Sequence, residues 1–330
     1  MNEKPLRIGI LGAARIAPMA LIRPARQVPE VAVVAVAARD PQRARSFATK
    51  HGLEQVYGTY ADLLAAQDIE AIYNPLPNSL HCEWSIRALQ AGKHVLCEKP
   101  IAANAAEAER MAAAAEQTGR VLVEAFHWRY HPLAARMKAI IDTGELGTVR
   151  HLEAHFCIPL LRPGDIRYRL DLAGGATMDV GCYAINIVRF LAGAEPEVVA
   201  AAARLSSPGV DRAMQMDLRF ADGRTGRVTC ALLSPVLLRA SARVRGDRGE
   251  LTVFNPVAPQ FYHRLTVRND TGTRHERLHG DATYTYQLRA FAAAVRSGVP
   301  VPTGPADAVA NMRVIDAAYT KAGLRPRGSN

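Results

Sequence analysis

Through residue 125, short apolar runs alternate with stretches whose apolar positions recur at helical spacing. Arg7–Leu11 reads as a buried strand, followed by a small-residue loop and a helix to about Arg26. Val31–Ala38 is a continuous run of valine and alanine, the pattern of a parallel strand covered on both faces. Asp40-Pro41 reads as an N-cap with proline at N1, opening a helix to about His51. Ala71–Asn74, His94–Glu98 and Val121–Glu124 are further short strands, with helices at Ser79–Ala91 and Asn104–Thr118 between them. Such alternation predicts a parallel, doubly wound α/β sheet.

After His131-Pro132 the pattern changes. A helix (Leu133–Thr143) precedes a strand (Val149–Phe156), an irregular Arg/Pro/Gly loop and a helix from about Met178 to Leu191. Strand-like runs then follow one another at Met214–Phe220, Thr225–Leu232, Arg239–Arg245, Glu250–Phe254 and Arg264–Val267. Strands without intervening helices predict an α+β region built on a large, mostly antiparallel open sheet. Helices at Tyr286–Arg296 and Ala306–Ala322 close the chain, and the change of pattern divides it into domains 1–125 and 126–330.

Composition narrows the class. Of 330 residues 49% are hydrophobic and 22% charged, which excludes disordered, collagen-like and disulfide-scaffold proteins. No apolar run approaches the ~20 residues that cross a bilayer, and Met1–Leu6 leads straight into a strand without a signal-like core. Five cysteines, an odd number and far apart, offer no zinc-like spacing; reduced thiols in a cytoplasmic protein without a metal are expected. The net charge is +10, but the arginines are scattered with no run of five. Nucleic acid is therefore not an expected partner.

Three segments carry candidate chemistry. Gly9–Ala17 reads as G-x-G-x-x-G/A at Gly12, Ala14 and Ala17, with alanine in the middle position. A tight strand-to-helix turn there brings backbone N–H groups to a pyrophosphate. At the end of the second apolar run stands Arg39, the residue type that suits the 2′-phosphate of NADP, where an NAD site places an acid. Its neighbour Asp40 either caps the next helix or reaches the ribose. The second segment, Glu98-Lys99-Pro100, ends a strand at the edge where open α/β sheets bind ligands. Lys99 is one of only six lysines. In the third, Asp179, Tyr183 and Asn186 fall on one stripe of an otherwise apolar helix. Such a stripe is either satisfied by structural partners or presents an acid/base tyrosine to a ligand.

Together these pieces resemble the glucose–fructose oxidoreductase/inositol dehydrogenase/rhizopine-catabolism (Gfo/Idh/MocA) family. The resemblance is carried by the Gly12 fingerprint, Pro75–His81, Ala91–Pro100, Glu124–Pro132 and the Asp179–Tyr183 helix, in the family's order over about the first 190 residues. It implies a Rossmann-type dinucleotide-binding domain followed by a substrate-binding and oligomerisation domain. Tyrosine at 183 makes the chain similar to the glucose–fructose oxidoreductase, dihydrodiol and xylose dehydrogenase branch. The implied cofactor set is Gly12, Ala13, Ala14, Arg15, Ile16, Arg39, Pro75, Leu76, Asn78, His81, Glu98 and Lys99, with Arg167 and Tyr168 from a loop bordering the cofactor. Lys99, Tyr183 and Asp179 are the implied catalytic residues, and Arg129 joins them on the substrate side.

The expected reaction moves a hydride between nicotinamide C4 and a carbinol or carbonyl carbon of a sugar, polyol, keto-sugar or related cyclic alcohol. NADP is the expected cofactor, with NAD the other possibility. A tyrosine ionises at ~10, so acting as a base near neutrality needs a shift of about 2–3 units, and a lysine ammonium nearby favours the phenolate. Asp179 is expected to orient Lys99 or a substrate hydroxyl. A redox-assisted glycosidase with tightly held NAD and a non-catalytic nucleotide sensor are the competing readings. Family members associate through the exposed face of the C-terminal sheet, which implies a homodimer or homotetramer.

Overall fold

The computed structural model describes residues 4–162, 164–233, 236 and 238–329. Met1–Glu3, read above as part of a start without a signal segment, and Pro163 of the Arg/Pro/Gly loop lie outside the described residues. The chain forms two compact units, one of Met1–His127 with Tyr284–Val309 and one of Trp128–Thr283 with Ala310–Asn330.

In the first unit the strands are β1 (Leu6–Leu11), β2 (Val31–Ala37), β3 (Gln55–Tyr57), β4 (Ala71–Asn74), β5 (His94–Cys97) and β6 (Leu122–Glu124). They form one parallel sheet in the order β3-β2-β1-β4-β5-β6. This is the doubly wound order, and its direction reverses between β1 and β4, where such sheets bind ligands. Leu6, Ile8 and Ile10 of β1 are buried with Tyr73, Leu96 and Val123 from the neighbouring strands. Leu288 and Phe291 of the helix Thr283–Ser297 join that core, so residues late in the sequence complete the first unit. β3 and the short helix Tyr60–Ala65, closed by a Thr59/Asp62 capping box, go unread in the sequence because neither is long enough to show a period.

The second unit is built on β7 (Val149–Cys157), β8 (Glu197–Ser207), β9 (Val210–Arg219), β10 (Thr225–Ala231), β11 (Arg239–Gly246), β12 (Gly249–Phe254), β13 (Arg264–Asn269) and β14 (Gly272–Glu276). The sheet order is β14-β13-β12-β11-β7-β10-β9-β8, with β7 and β10 parallel and the other pairs antiparallel. The helix Cys182–Ala192 packs against β7, β10 and β11 on one face. On the other face Glu250 pairs with Arg243 and Arg245, and His151 lies beside Glu153. The sequence reading lacks β8, whose alanines at 200–203 look helical; pairing along β9 overrides that propensity. It also expects an ordinary helix from Met178, whereas Thr177–Gly181 is a π-helical turn that passes into α-helix at Cys182.

Among the described residues no helix is long and apolar enough to cross a membrane. The five cysteines are all buried.

Candidate active site

In the first unit the site grows from the ends of the parallel strands. Gly12 follows β1 with φ +85, and a Cβ there would meet Leu76 Cδ2 at 3.1 Å. Only glycine is comfortable with both constraints. Its N–H donates to Ala37 O at 2.6 Å, and the Ala14 N–H turns back to Gly12 O at 2.8 Å. Ala13, Ala14 and Ile16 are half-buried and Arg15 is exposed on this turn, which runs into a π-helical turn at Pro18–Ile22. Alanine at position 14 leaves the turn intact, and the cradle fits a dinucleotide pyrophosphate.

At the end of β2, Arg39 is exposed and Asp40 is committed elsewhere. Asp40 Oδ1 accepts from the N–H groups of Gln42 (2.8 Å) and Arg43 (3.3 Å), so it caps the helix Pro41–His51. Arg39 and Arg43 both act on the Tyr60 phenol. Burial raises that phenol above its ordinary pKa, and the two charges and a backbone hydrogen bond from Arg39 oppose the rise. Tyr60, whose Oη would lie 3.7 Å from a Gly12 Cβ, thus joins the Gly12 turn to the Arg39 corner. Sequence reasoning misses Tyr60 because its helix is too short to show a period.

The next strand end is closed by buried side chains. Asn74 donates through Nδ2 to Ser85 Oγ (3.0 Å) and His81 O (3.3 Å), while its Oδ1 accepts from Leu76 N–H (3.3 Å). This holds Pro75 and Leu76, with Asn78 half-buried at the start of the following 3-10 turn. His81 is fully buried, with Nδ1 2.8 Å from Pro100 O and Nε2 2.7 Å from Leu76 O. As a neutral imidazole it has one N–H, so it donates to one of these two carbonyls and its other nitrogen lies against the second. A polar Asn ending the apolar run Ala71–Tyr73 is the signal that reveals Asn74.

Lys99 follows β5 and is half-buried. Glu98 before it is oriented by the Tyr73 hydroxyl, which donates to Oε1 at 2.7 Å, and the Lys99 N–H donates to Oε2 at 3.3 Å. Burial and the Lys99 charge lower the pKa of His81 to about 4 and of His127 to about 3. Lys99 is thus the cationic partner of two neutral imidazoles. Lys93 makes the contrast: it is buried and donates to Ala66 O (2.6 Å) and Ile69 O (2.7 Å), a purely structural use of an ammonium.

The second unit holds the other predicted residues. Asp179 lies in the π-helical turn and pairs with Arg167, Nε to Oδ2 at 2.8 Å. Arg167 is also held by Asp165 Oδ1 at 3.1 Å, and both carboxylates favour its charged form. The step from Asp179 to Tyr183 passes from this wider turn into regular helix. Tyr183, 5% exposed, is the second residue of the regular helix and meets the Phe156 ring edge-on at 5.5 Å between centroids. The Tyr168 hydroxyl donates to Leu160 O at 2.9 Å, which fixes the loop after β7. The Arg129 guanidinium lies over the Phe190 ring, 4.3 Å from its centroid. Among the described residues no group of three His, Cys, Asp or Glu side chains is placed to hold a metal ion.

A glycine turn at the switch point of a parallel sheet, with a lysine beyond a strand two places away, is the arrangement of a dinucleotide-binding domain. Comparison with known proteins agrees. The oxidoreductase family with NAD-binding Rossmann fold, GFO/IDH/MocA, matches residues 6–126, and the GFO/IDH/MocA C-terminal domain matches residues 134–252. The chain belongs to the Gfo/Idh/MocA oxidoreductase family. D-xylose 1-dehydrogenase (NADP(+)) 2 of Haloferax volcanii is 36% identical over 96% of this chain and 97% of its own. The dTDP-3,4-didehydro-2,6-dideoxy-alpha-D-glucose 3-reductase of Actinomadura kijaniata is 34% identical over 97% of each chain. The crystal structure of a 3-ketoreductase from Actinomadura kijaniata in complex with NADP and TDP-benzene superposes with a TM-score of 0.90 at 33% identity, covering 97% of this chain and 98% of that one.

The neutral histidines give stability a pH dependence. His81, His94 and His131 have folded-state pKa values of about 4 and His127 of about 3, all lowered first by burial from 6.5. Between those values and 6.5 the unfolded chain binds more protons. The stability they confer is therefore complete above 6.5 and lost as pH falls toward 4, at up to ~1.4 kcal/mol per pH unit for each ring. Thermal unfolding followed from neutral pH downward should show a falling Tm, with a shallower slope in His127→Gln. An unchanged slope in that variant contradicts the assignment.

Proposed function

We propose that Tyr183 and Lys99 carry the proton side of a hydride transfer, with Gly12, Leu76 and Arg39 holding the nucleotide. The reaction class is that of an NADP-dependent oxidoreductase acting on the CH–OH carbon of a sugar or polyol, and a nucleotide-linked keto-sugar belongs among the substrates to test. The observation that carries the reading is Lys99, half-buried just beyond β5, beside His81 and His127, whose pKa values are lowered by burial and by its charge.

NADP, when bound, supplies a hydride acceptor at nicotinamide C4. The backbone N–H groups of Ala13 and Ile16 would meet the pyrophosphate, since those of Gly12 and Ala14 are bonded within the fold, and Pro75, Leu76 and Asn78 would form the wall beside it. His81 and Glu98 keep that wall and Lys99 in place. Arg39 meets the 2′-phosphate, since the capping role of Asp40 leaves no acid free to repel it. In the oxidative direction Tyr183 would take the hydroxyl proton as phenolate, the form that a lysine ammonium in the role the family resemblance gives Lys99 would favour. In the reductive direction Tyr183 would return that proton as the alkoxide develops. Asp179, held by Arg167, and Tyr168 shape the loop on the substrate side, where Arg129 offers a charge for a sugar hydroxyl or phosphate. We further propose a cytoplasmic homodimer or homotetramer joined through the open sheet face, where Phe254 is 43% exposed. A monomeric mass by light scattering contradicts the assembly.

The direct test is a panel of sugars, polyols and keto-sugars with both cofactors, followed by nicotinamide absorbance. Tyr183→Phe should lose ~10²–10⁴-fold in kcat, the usual share of general acid–base catalysis, with NADP binding retained. Lys99→Arg should also be impaired, because a planar guanidinium cannot reproduce a compact ammonium. Wild-type rates in either variant overturn its assigned role.

For the cofactor, Arg39→Ala should weaken NADP binding by about ten- to a hundredfold and leave NAD binding unchanged, as expected for losing charge-assisted hydrogen bonds of ~1.5–3 kcal/mol. Fluorescence titration checks this, and equal NADP affinity in the two proteins contradicts it.

A further inference from the structure

The helix that carries Tyr183 starts without a cap from its own sequence: Ala176 precedes the π-helical turn and provides no side-chain hydrogen bond. The cap comes from β9. Asp211 is fully buried, and its Oδ2 accepts from both the N–H and the hydroxyl of Thr177, each at 2.7 Å. Its Oδ1 accepts from Tyr319 Oη at 2.9 Å and from Arg327 Nη2 at 2.7 Å. These four donors occupy the lone-pair sites of the carboxylate. Arg327 is itself buried near the end of the chain, donates through Nε to Gly174 O at 2.7 Å, and lies 4.1 Å from the centroid of the Tyr319 ring.

The Gly174-Gly175 pair is explained by the same arrangement. A Cβ on Gly175, where φ is +138, would come within 2.1 Å of Asp211 Oδ1; one on Gly174 would come within 2.6 Å of Arg167 O. Both glycines exist so that the carboxylate and the preceding loop can approach closely. That loop is tied in turn, because Gly175 N–H donates to Arg167 O at 2.8 Å and Gly174 N–H to Arg169 O at 2.9 Å. Arg167 then holds Asp179.

We propose that the Asp211–Arg327 pair is a positioning device for Tyr183. It anchors the first turn of the helix and, through Gly174 and Gly175, the Arg167–Asp179 pair beside it. A negative charge at the helix N-terminus is favourable, and a fully ligated carboxylate leaves that turn one position. The inference rests on the reading of Tyr183 as the proton-transfer residue.

The test compares Arg327→Met, Arg327→Lys and Tyr319→Phe with the wild type, measuring kcat, its pH profile and NADP binding. Misplacing a reacting group by ~1 Å can cost ~10²-fold. Arg327→Met should therefore lose about ten- to a hundredfold in kcat, with a displaced pH profile and NADP affinity within about twofold of wild type. Arg327→Lys should recover part of the loss, and Tyr319→Phe should shift the profile in the same direction by less. A folded Arg327→Met with wild-type kcat and pH profile overturns the proposal, even if its Tm falls. Should Arg327→Met fail to fold, Tyr319→Phe decides by the same criterion. Full activity in Tyr183→Phe removes the underlying reading instead, whereas an inactive Tyr183→Phe beside a wild-type-like Arg327→Met removes only the positioning role.

Discussion

A parallel sheet covered on both faces ends in backbone groups that no neighbouring strand can satisfy, and the site in the first unit depends on how they are closed. Buried side chains do this here. Asn74 closes the end of β4, His81 donates its single N–H to one of the Leu76 and Pro100 carbonyls, and Glu124 Oε1 accepts from Ile101 N–H at 2.8 Å. Each bond satisfies a group that would cost ~1–3 kcal/mol if buried alone. Each also removes freedom from the loops proposed to meet the nucleotide. The rigidity of the Leu76 wall and the placement of Lys99 therefore follow from the same requirement that stabilises the fold.

Electrostatics then separates the ammonium groups by task. Lys93 is spent on two carbonyls inside the unit, whereas Lys99 follows a strand end among imidazoles kept neutral by burial and by its own charge. The second unit handles charge in a different way. Asp211, buried with four donors, and Asp179, paired with Arg167, are both fixed carboxylates around the turn that leads to Tyr183. Fixed charges near a reacting group need no reorganisation during the reaction, which is the main advantage of such preorganised sites.

Local signals in the sequence were strong where the physics is local. The valine and alanine run of β2, the Asp40-Pro41 cap and the Gly12 turn all read correctly because strand burial, capping and positive φ are decided within a few residues. Tertiary effects were not legible. The alanines of β8 promise a helix, and only the presence of β9 makes them a strand. The π-helical turn before Cys182 leaves no mark in the sequence. Asp211 reaches Arg327 across 116 residues, a pairing that no window of sequence contains. The residues proposed to do chemistry could be named from the chain, while those that hold them in place could not.

The central claim is that this chain moves a hydride between a carbinol carbon and NADP. It is tested most directly with a sugar or polyol substrate carrying deuterium on the carbinol carbon. The account predicts that one deuterium appears at nicotinamide C4 of the reduced nucleotide, read by mass spectrometry and proton NMR, in step with oxidation of the sugar. Conversion of the sugar with its label retained or lost to solvent, and with no net reduction of NADP, would contradict it.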